Sequence, residues 1–414
     1  MGELDPEQRQ HVGWQTRLVE EGGRVVRMDI VNGRGRFWAD SPTVASTRFV
    51  YDGQRVVERI GLDRNGIVRR RKLLTANSER WVDALGRPLP EEKSKASGAE
   101  RELDAKGRVI ALRYVDATGA PATRADGVST VRFVYGVNGS EDERYFTREG
   151  APQTNEKGIH RIARELNAKG LDLLRRFLDE YEKPAPRKDG VQSIRESYDE
   201  YGNLIEERTF DAEGRLHLAE DKTALVRIES DEWGAEITKR FFDDHEAPTI
   251  SSYGYITRHI MWNDDGQAIQ WSFYDGKGRP AQVRGREHSV RRRVLDARGR
   301  SVHESSFDTG AMPFTIDGTQ QNDLLYDERD NLIRRNYFTE TGAVTKSENE
   351  HFSSFRQTFD LDRLVRKEYL DENGNLYPLN GSAGIAYTFD ALGVSTKHRL
   401  DSSGAIVEDP PAAN

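Results

Sequence analysis

Between Arg101 and Pro121 the chain reads RELDAKGRVIALRYVDATGAP, and between Arg164 and Pro184 it reads RELNAKGLDLLRRFLDEYEKP. Midway lies VYGVNGSEDERYFTREGAP, from Val134 to Pro152, so one phrase is written three times at a step of 31 to 32 residues. Each copy has a turn, a strand-like run, a second turn and then a proline. The residue before the second turn recurs as Val115, Phe146, Leu178, Phe210, Phe242, Tyr274, Phe307, Phe338, Leu370 and Leu400, all apolar or aromatic. The next residue is Asp at eight of these places, and Thr147 and Thr339 at the other two. The repeat reaches the N-terminus, where TRLVEEGGRVVRMDIVNGRG from Thr16 matches TRFVYDGQRVVERIGLDRNG from Thr47. Between Asp63 and Asp83 the spacing shortens, marking a degenerate unit. A period of this length is the signature of stacked supersecondary units.

One unit, IRESYDEYGNLIEERTFDAEGRL from Ile194 to Leu216, shows what is built. In YDEYGN an Asp opens the turn and a Gly follows three residues later. The carboxylate hydrogen-bonds its own backbone, and Gly takes the positive φ that closes a hairpin. LIEERTFD then has strand length, and DAEG repeats the turn chemistry. Pro88, Pro121, Pro152, Pro184, Pro248 and Pro280 follow second turns. Proline cannot donate to a ladder and belongs at a strand start or edge. With Gly127, Gly158, Gly190 and Gly254 downstream, the third segment reads as a short extended link to the next hairpin.

Gly158–Tyr181 tempts the other way, because Ile159, Ile162, Leu166, Leu173 and Phe177 fall near helical spacing. Its register with the neighbouring units makes it a hairpin, with Lys169-Gly170 matching Lys106-Gly107. The one expected helix is short and N-terminal, where Asp5-Pro6-Glu7 offers a cap and a first-turn proline. The domain reading is a cap over 1–15, a single repeat domain of about twelve units over 16–408, and a disordered tail over 409–414.

Composition fits this organisation. The chain of 414 residues is 36% hydrophobic and 32% charged, lean for one thick core but sufficient for a thin core shared between neighbours. Cysteine is absent, which excludes disulfides and thiolate metal sites and leans slightly towards an exported or cell-envelope protein. No apolar run approaches the ~18 residues of a membrane helix, so no membrane insertion is expected. The first twenty residues show no signal peptide. Met1-Gly2 and the PPAAN end read as cut boundaries of a longer protein. The net charge of −8 argues against nucleic acid as partner. VRRRK (Val68–Lys72) and VRRRV (Val290–Val294) read as strands with solvated side chains. Arginine outnumbers lysine 48 to 14, as a GC-rich genome would give.

YDEYGNLIEE, YDERDNLIRR and LDENGNL resemble the YD repeats of RHS-type proteins. That resemblance implies hairpins wound side by side into a spiral β-sheet, and in bacterial toxins a shell around cargo. The step here is longer than in those repeats, and the DPxGxxD-like motif that closes an RHS shell is absent.

The motifs of chemistry are missing. The nine histidines stand far apart without metal spacing, and no GxSxG, Walker A or GxGxxG motif is present. Gly33-Arg34-Gly35 is a lone turn signal. NDDG (Asn263–Gly266) and DENGN (Asp371–Asn375) read as capped turns, lacking the six or more oxygens that calcium requires. A uniform repeat does not supply the two unlike environments of an acid/base pair. No cofactor, metal or catalytic residue is expected, and the chain reads as a non-enzyme. The degenerate stretch Leu73–Trp81 is the one place where a site could hide.

One column stands out. Arg113, Arg144, Arg176, Arg208 and Arg240 occupy the same place in five successive units, and Ser272, Ser305, Asn336, Glu368 and His398 continue it. Guanidinium forks suit carboxylates, sulfates or phosphates. They also suit plain cross-strand pairing with Glu columns such as Glu143 and Glu207. The expected fold is therefore all-β, an elongated open stack or superhelix of antiparallel hairpins. A closed six-bladed propeller of paired units is the alternative. The expected role is a scaffold or recognition module for a protein or acidic polysaccharide, with an encapsulating or accessory segment of a larger toxin-like protein as the competitor.

Overall fold

The computed structural model describes residues 9–38, 43–91, 94–136, 140–284, 288–310, 320–347 and 350–407. The proposed helix at Asp5 and the tail over 409–414 lie outside them. Among the described residues every named element is a β-strand, 27 of them, from Gln15–Glu21 to Ile406–Val407. No helix among the described residues is long and apolar enough to cross a membrane.

The hairpin of Ser193–Tyr198 and Leu204–Phe210 shows why the sequence folds this way. Asp199 Oδ1 accepts hydrogen bonds from the backbone N–H groups of Tyr201, Gly202 and Asn203 at 3.0, 2.8 and 2.8 Å. Gly202 takes φ 102°. The register slips by one residue between Ser197 and Tyr198, a bulge that accommodates the turn. The same slip recurs at Glu165/Leu166, Glu229/Ser230, Met261/Trp262, Val294/Leu295 and Leu325/Tyr326. Gly158–Tyr181 obeys this rule, with strands Arg161–Leu166 and Asp172–Leu178 around an Asn167-capped turn.

Among the described residues the chain makes one bridge back after most second turns, as Phe146↔Pro152, Leu178↔Pro184 and Phe242↔Pro248. It then turns again and enters the next hairpin, which pairs with the last over three or four positions, for example Arg176↔Ser193. The third segment is thus the extended link read from its proline. At the degenerate unit it is missing. From the Asp63 turn the chain runs directly into Val68–Leu74, which pairs along Arg55–Leu62 from Glu58↔Leu73 to Leu62↔Val68. That omission shortens the spacing.

Each strand pairs antiparallel with the next in sequence, giving one continuous open sheet. The propeller alternative fails on this point. Blades would be separate sheets, whereas the pairing between successive hairpins, over three to five positions, never breaks.

The sheet is not straight. Gly13 donates to Asn203, 190 residues away, at 2.8 Å, and Arg69 donates to Asp362, 293 residues away, at 2.9 Å. Between them Asn32 reaches Asp265 and Asn65 reaches Asp330. The turns that close the early units therefore sit on the turns that open the late ones. The ribbon coils through a full circuit in roughly 190–290 residues, and a polar seam joins its two rims.

Strand alternation gives the sheet two faces. On one, Tyr145, Phe177, Phe241, Phe273 and Tyr337 are buried. The third segments cover this core face, through Ile159 and Val191 against Phe177 and Tyr255 against Phe241. The column anticipated from the repeat, one residue further on, points to the opposite face. There Val115, Phe242, Leu370 and Leu400 are buried, while Phe146, Phe210 and Phe307 are only half-buried. The buried aromatic layer, interrupted at Thr209 and Ser306, lies one position earlier than the repeat suggested, because the covering link crosses the other face.

Candidate binding face

The five arginines of the repeated column share that second face with Phe146, Leu178, Phe210 and Phe242, two residues along each strand. The structure gives each a carboxylate. Arg113 donates to Glu102 at 2.8 Å, Arg176 pairs with Glu165, and Arg240 donates to Glu229 at 2.6 Å. Arg144 lies 3.4 Å from both Asp142 and Glu182. Arg208 is held by Glu206 at 2.6 Å and Glu246 at 2.7 Å. The partners are cross-strand residues, same-strand neighbours two positions back (Asp142 and Glu206) or turn residues, not the Glu143 and Glu207 columns, which face the core side. Glu182 and Glu246 each lie 38 residues from their arginine, and both hold positive φ, 66° and 59°.

Hydrogen bonds that Arg208 donates to Glu206 and Glu246 raise it further above the ordinary guanidinium range. Burial pushes the Glu206 carboxyl up, but hydrogen bonds from Arg208 and Arg227 outweigh it and leave the carboxyl below its usual range. Glu246 is lowered too, chiefly by its hydrogen bond with Arg208.

A second arginine set completes the face. Arg132 lies 4.8 Å from the Phe146 ring centroid, Arg195 5.5 Å from Phe210, Arg227 4.8 Å from Phe242 and Arg292 4.7 Å from Phe307. These sit directly opposite the first column, as Arg144↔Arg132, Arg208↔Arg195 and Arg240↔Arg227. Among the described residues Arg132 and Arg195 make no ion pair. The repeat carries this second column at Arg132, Arg195, Arg227 and Arg292, broken by Ala163 and His259, so the 32-residue period discloses it only in part. What the period alone does not give is the stacking on the aromatic column.

The core face carries its own charges beside the aromatics. Arg164 contacts Glu143 at 3.0 Å, and Arg175 pairs with Glu196. Burial pushes the Glu207 carboxyl up and pushes the Lys367 ammonium down. A cleft of about 170 Å³ opens between third segments, lined by Tyr145, Arg164, Arg175, Phe177, Arg187 and Ile194 among others. It is smaller than the ~300–1,000 Å³ usual for ligand pockets, and its arginines are tied to carboxylates.

Asp243, Asp244 and His245 are the one group of metal-capable side chains close enough to share an ion among the described residues. Asp243 Oδ1 already accepts the backbone N–H groups of His245 and Ala247 at 2.9 Å. Asn263 and Asp371, in the two acidic stretches, do the same turn-capping work. In the degenerate unit Glu79 accepts from Trp81 at 2.7 Å and pairs with Lys72 at 3.0 Å.

No family model matches the sequence, and no curated protein matches it either. Solved structures with a similar trace include a TcdB2–TccC3–TEV crystal structure, 13% identical with a TM-score of 0.38 over 94% of this chain and 22% of that one. A Photorhabdus luminescens Tc holotoxin pore is 10% identical with a TM-score of 0.32 over 99% of this chain and 25% of that one. The chain spans about a quarter of the length of these structures. The functional reading rests on the chain's own geometry.

Proposed function

We propose that the chain is a non-enzymatic recognition scaffold whose arginine face docks an acidic partner, a protein or an acidic polysaccharide. The observation that carries this is the arginine ladder: one register position on five successive hairpins, each guanidinium held by carboxylates at its flank. Beside it Arg132 and Arg195 lie exposed over aromatic rings. Preset guanidinium forks bind carboxylates bidentately, with less ordering cost than free side chains. Arg132 and Arg195, which make no ion pair among the described residues, add uncompensated positive charge beside the paired column, and such charge steers anions. The test is the combined variant Arg144→Gln, Arg176→Gln and Arg208→Gln, measured against polyglutamate and alginate at two salt concentrations. Loss of a salt-sensitive affinity supports the reading. Binding identical to that of the unaltered chain rejects it.

A second reading, a wall segment of a larger encapsulating toxin-like protein, is favoured by the seam. A ribbon whose rims are joined encloses space, which an extended platform does not need. Solution scattering separates the two: a hollow-particle profile favours the wall, and a rod-like profile the platform.

A further inference from the structure

The arginine face changes character along the coil. In three of the five earlier units an arginine of the second strand pairs with a glutamate of the first, Arg113 with Glu102, Arg176 with Glu165 and Arg240 with Glu229, while Val134 and Ser197 hold the glutamate position in the other two. In the next three units the arginine becomes Ser272, Ser305 and Asn336, and the glutamate position becomes Met261, Val294 and Leu325. These three side chains are 53%, 56% and 52% exposed. They occupy one register position, opposite Gln270, His303 and Arg334 respectively. A single exposed apolar residue is ordinary. Three in line, beginning where the charged pairs stop, form a patch of the kind that marks an interaction surface.

We infer that the arginine ladder and the Met261–Val294–Leu325 row are one docking strip for an extended polypeptide segment, acidic at one end and apolar at the other. This deepens the proposed recognition role and rests on it. Successive members of each row are two strands apart, about 9.5 Å. A polyproline II or near-extended chain crossing the strands advances about 9.3 Å in three residues, so every third side chain meets a row member. An α-helix needs seven residues and advances about 10.5 Å, drifting out of step within a few hairpins. An acidic polysaccharide can satisfy the arginines but offers nothing as apolar as the second row demands. Carboxylates at every third position would exchange with Glu165 and Glu229 for the guanidiniums, and apolar residues at every third position beyond them would cover the row.

The experiment uses the full chain and two synthetic peptides. One carries Glu at three positions spaced by three, followed by Leu at three positions spaced by three; the other has Ser in place of each Leu. Fluorescence anisotropy should show the Leu peptide binding at least about tenfold more tightly, from the apolar area removed from water. The combined variant Met261→Ser, Val294→Ser and Leu325→Ser should bring the Leu peptide down to the Ser peptide's affinity and leave alginate binding unchanged. Its circular dichroism should match the unaltered chain, because all three side chains are exposed. Equal binding of the two peptides, no binding of either, or a serine variant that binds the Leu peptide as before would overturn the strip. If the serine variant has no effect while the arginine variant abolishes polyglutamate and alginate binding, the recognition role stands and this inference falls. If the arginine variant has no effect on any probe, the recognition role itself falls.

Discussion

Replacing Phe241 by Ala should unravel the sheet locally, and replacing Phe210 should not. Phe241 is 3% exposed and packs with Val226, Tyr255 and Phe273 from the neighbouring strand, link and hairpin. Its ring lies 5.7 Å from that of Tyr255. Truncating a fully buried phenylalanine costs about 3–5 kcal/mol, from lost transfer energy and the cavity left behind. Phe210 lies on the opposite face, half-buried beneath Arg195. Its truncation forfeits a fraction of that burial and one cation–π contact of about 0.5–1 kcal/mol, so about 1–2 kcal/mol in all. A repeat array need not unfold in a single step, so a global midpoint would blur the contrast. Hydrogen exchange resolved by peptide is the better assay. Phe241→Ala should speed exchange in strands Leu225–Ser230, Glu236–Phe242 and Ala268–Tyr274 and leave the first and last hairpins protected. Phe210→Ala should produce a much smaller change around Ser193–Phe210. Equal effects from the two variants, or a cost under about 1 kcal/mol for Phe241→Ala, would mean that the covered face has been assigned wrongly.

The seam makes a second prediction. Asp330 is 1% exposed at its side chain and contacts Arg298 at 2.9 Å, Arg300 at 3.1 Å and Asn65 at 2.8 Å. Asp330→Asn leaves these arginines and the buried Arg69 undercompensated, at a cost of about 3–5 kcal/mol. Exchange should rise around Asp63–Arg69 and Asp296–Arg300 but not at Phe241, and unchanged protection there would refute the clamp. The third prediction concerns acid. Burial raises the Glu368 carboxyl, but hydrogen bonds from Arg356 at 2.7 Å and Arg366 at 2.9 Å prevail and hold it below the ordinary glutamate range. Its contribution is fully present above the unfolded glutamate pKa and is lost as pH falls through the lowered folded value. Thermal unfolding between about pH 5 and 3 should therefore lose less stability per pH unit in Glu368→Gln than in the unaltered chain, and parallel curves would refute the assignment. Fourth, Asp199→Ala removes the acceptor of three backbone donors and should cost about 1–3 kcal/mol, with increased exchange at Tyr201–Asn203.

The sequence by itself determined the hairpin. Its turns are closed by a carboxylate or amide and the backbone of the next four residues, as at Asp199 and Asn167, so the information is local and the 32-residue period repeats it. That chemistry also overrode the helical spacing of Gly158–Tyr181, because Asn167 and Gly170 fix a turn where a helix would need to continue. The period located the arginine ladder as well. Tertiary structure decided which face is covered, since alternation makes two faces and only the path of the link, through Ile159 and Val191, selects the one that holds Phe177. It decided the arginines' partners, because Glu182 and Glu246 come from the turn of the following unit. It decided the coil too: contacts such as Arg69 with Asp362 join residues 293 apart, and small twists summed over many strands bring those rims together, a sum that no single repeat contains.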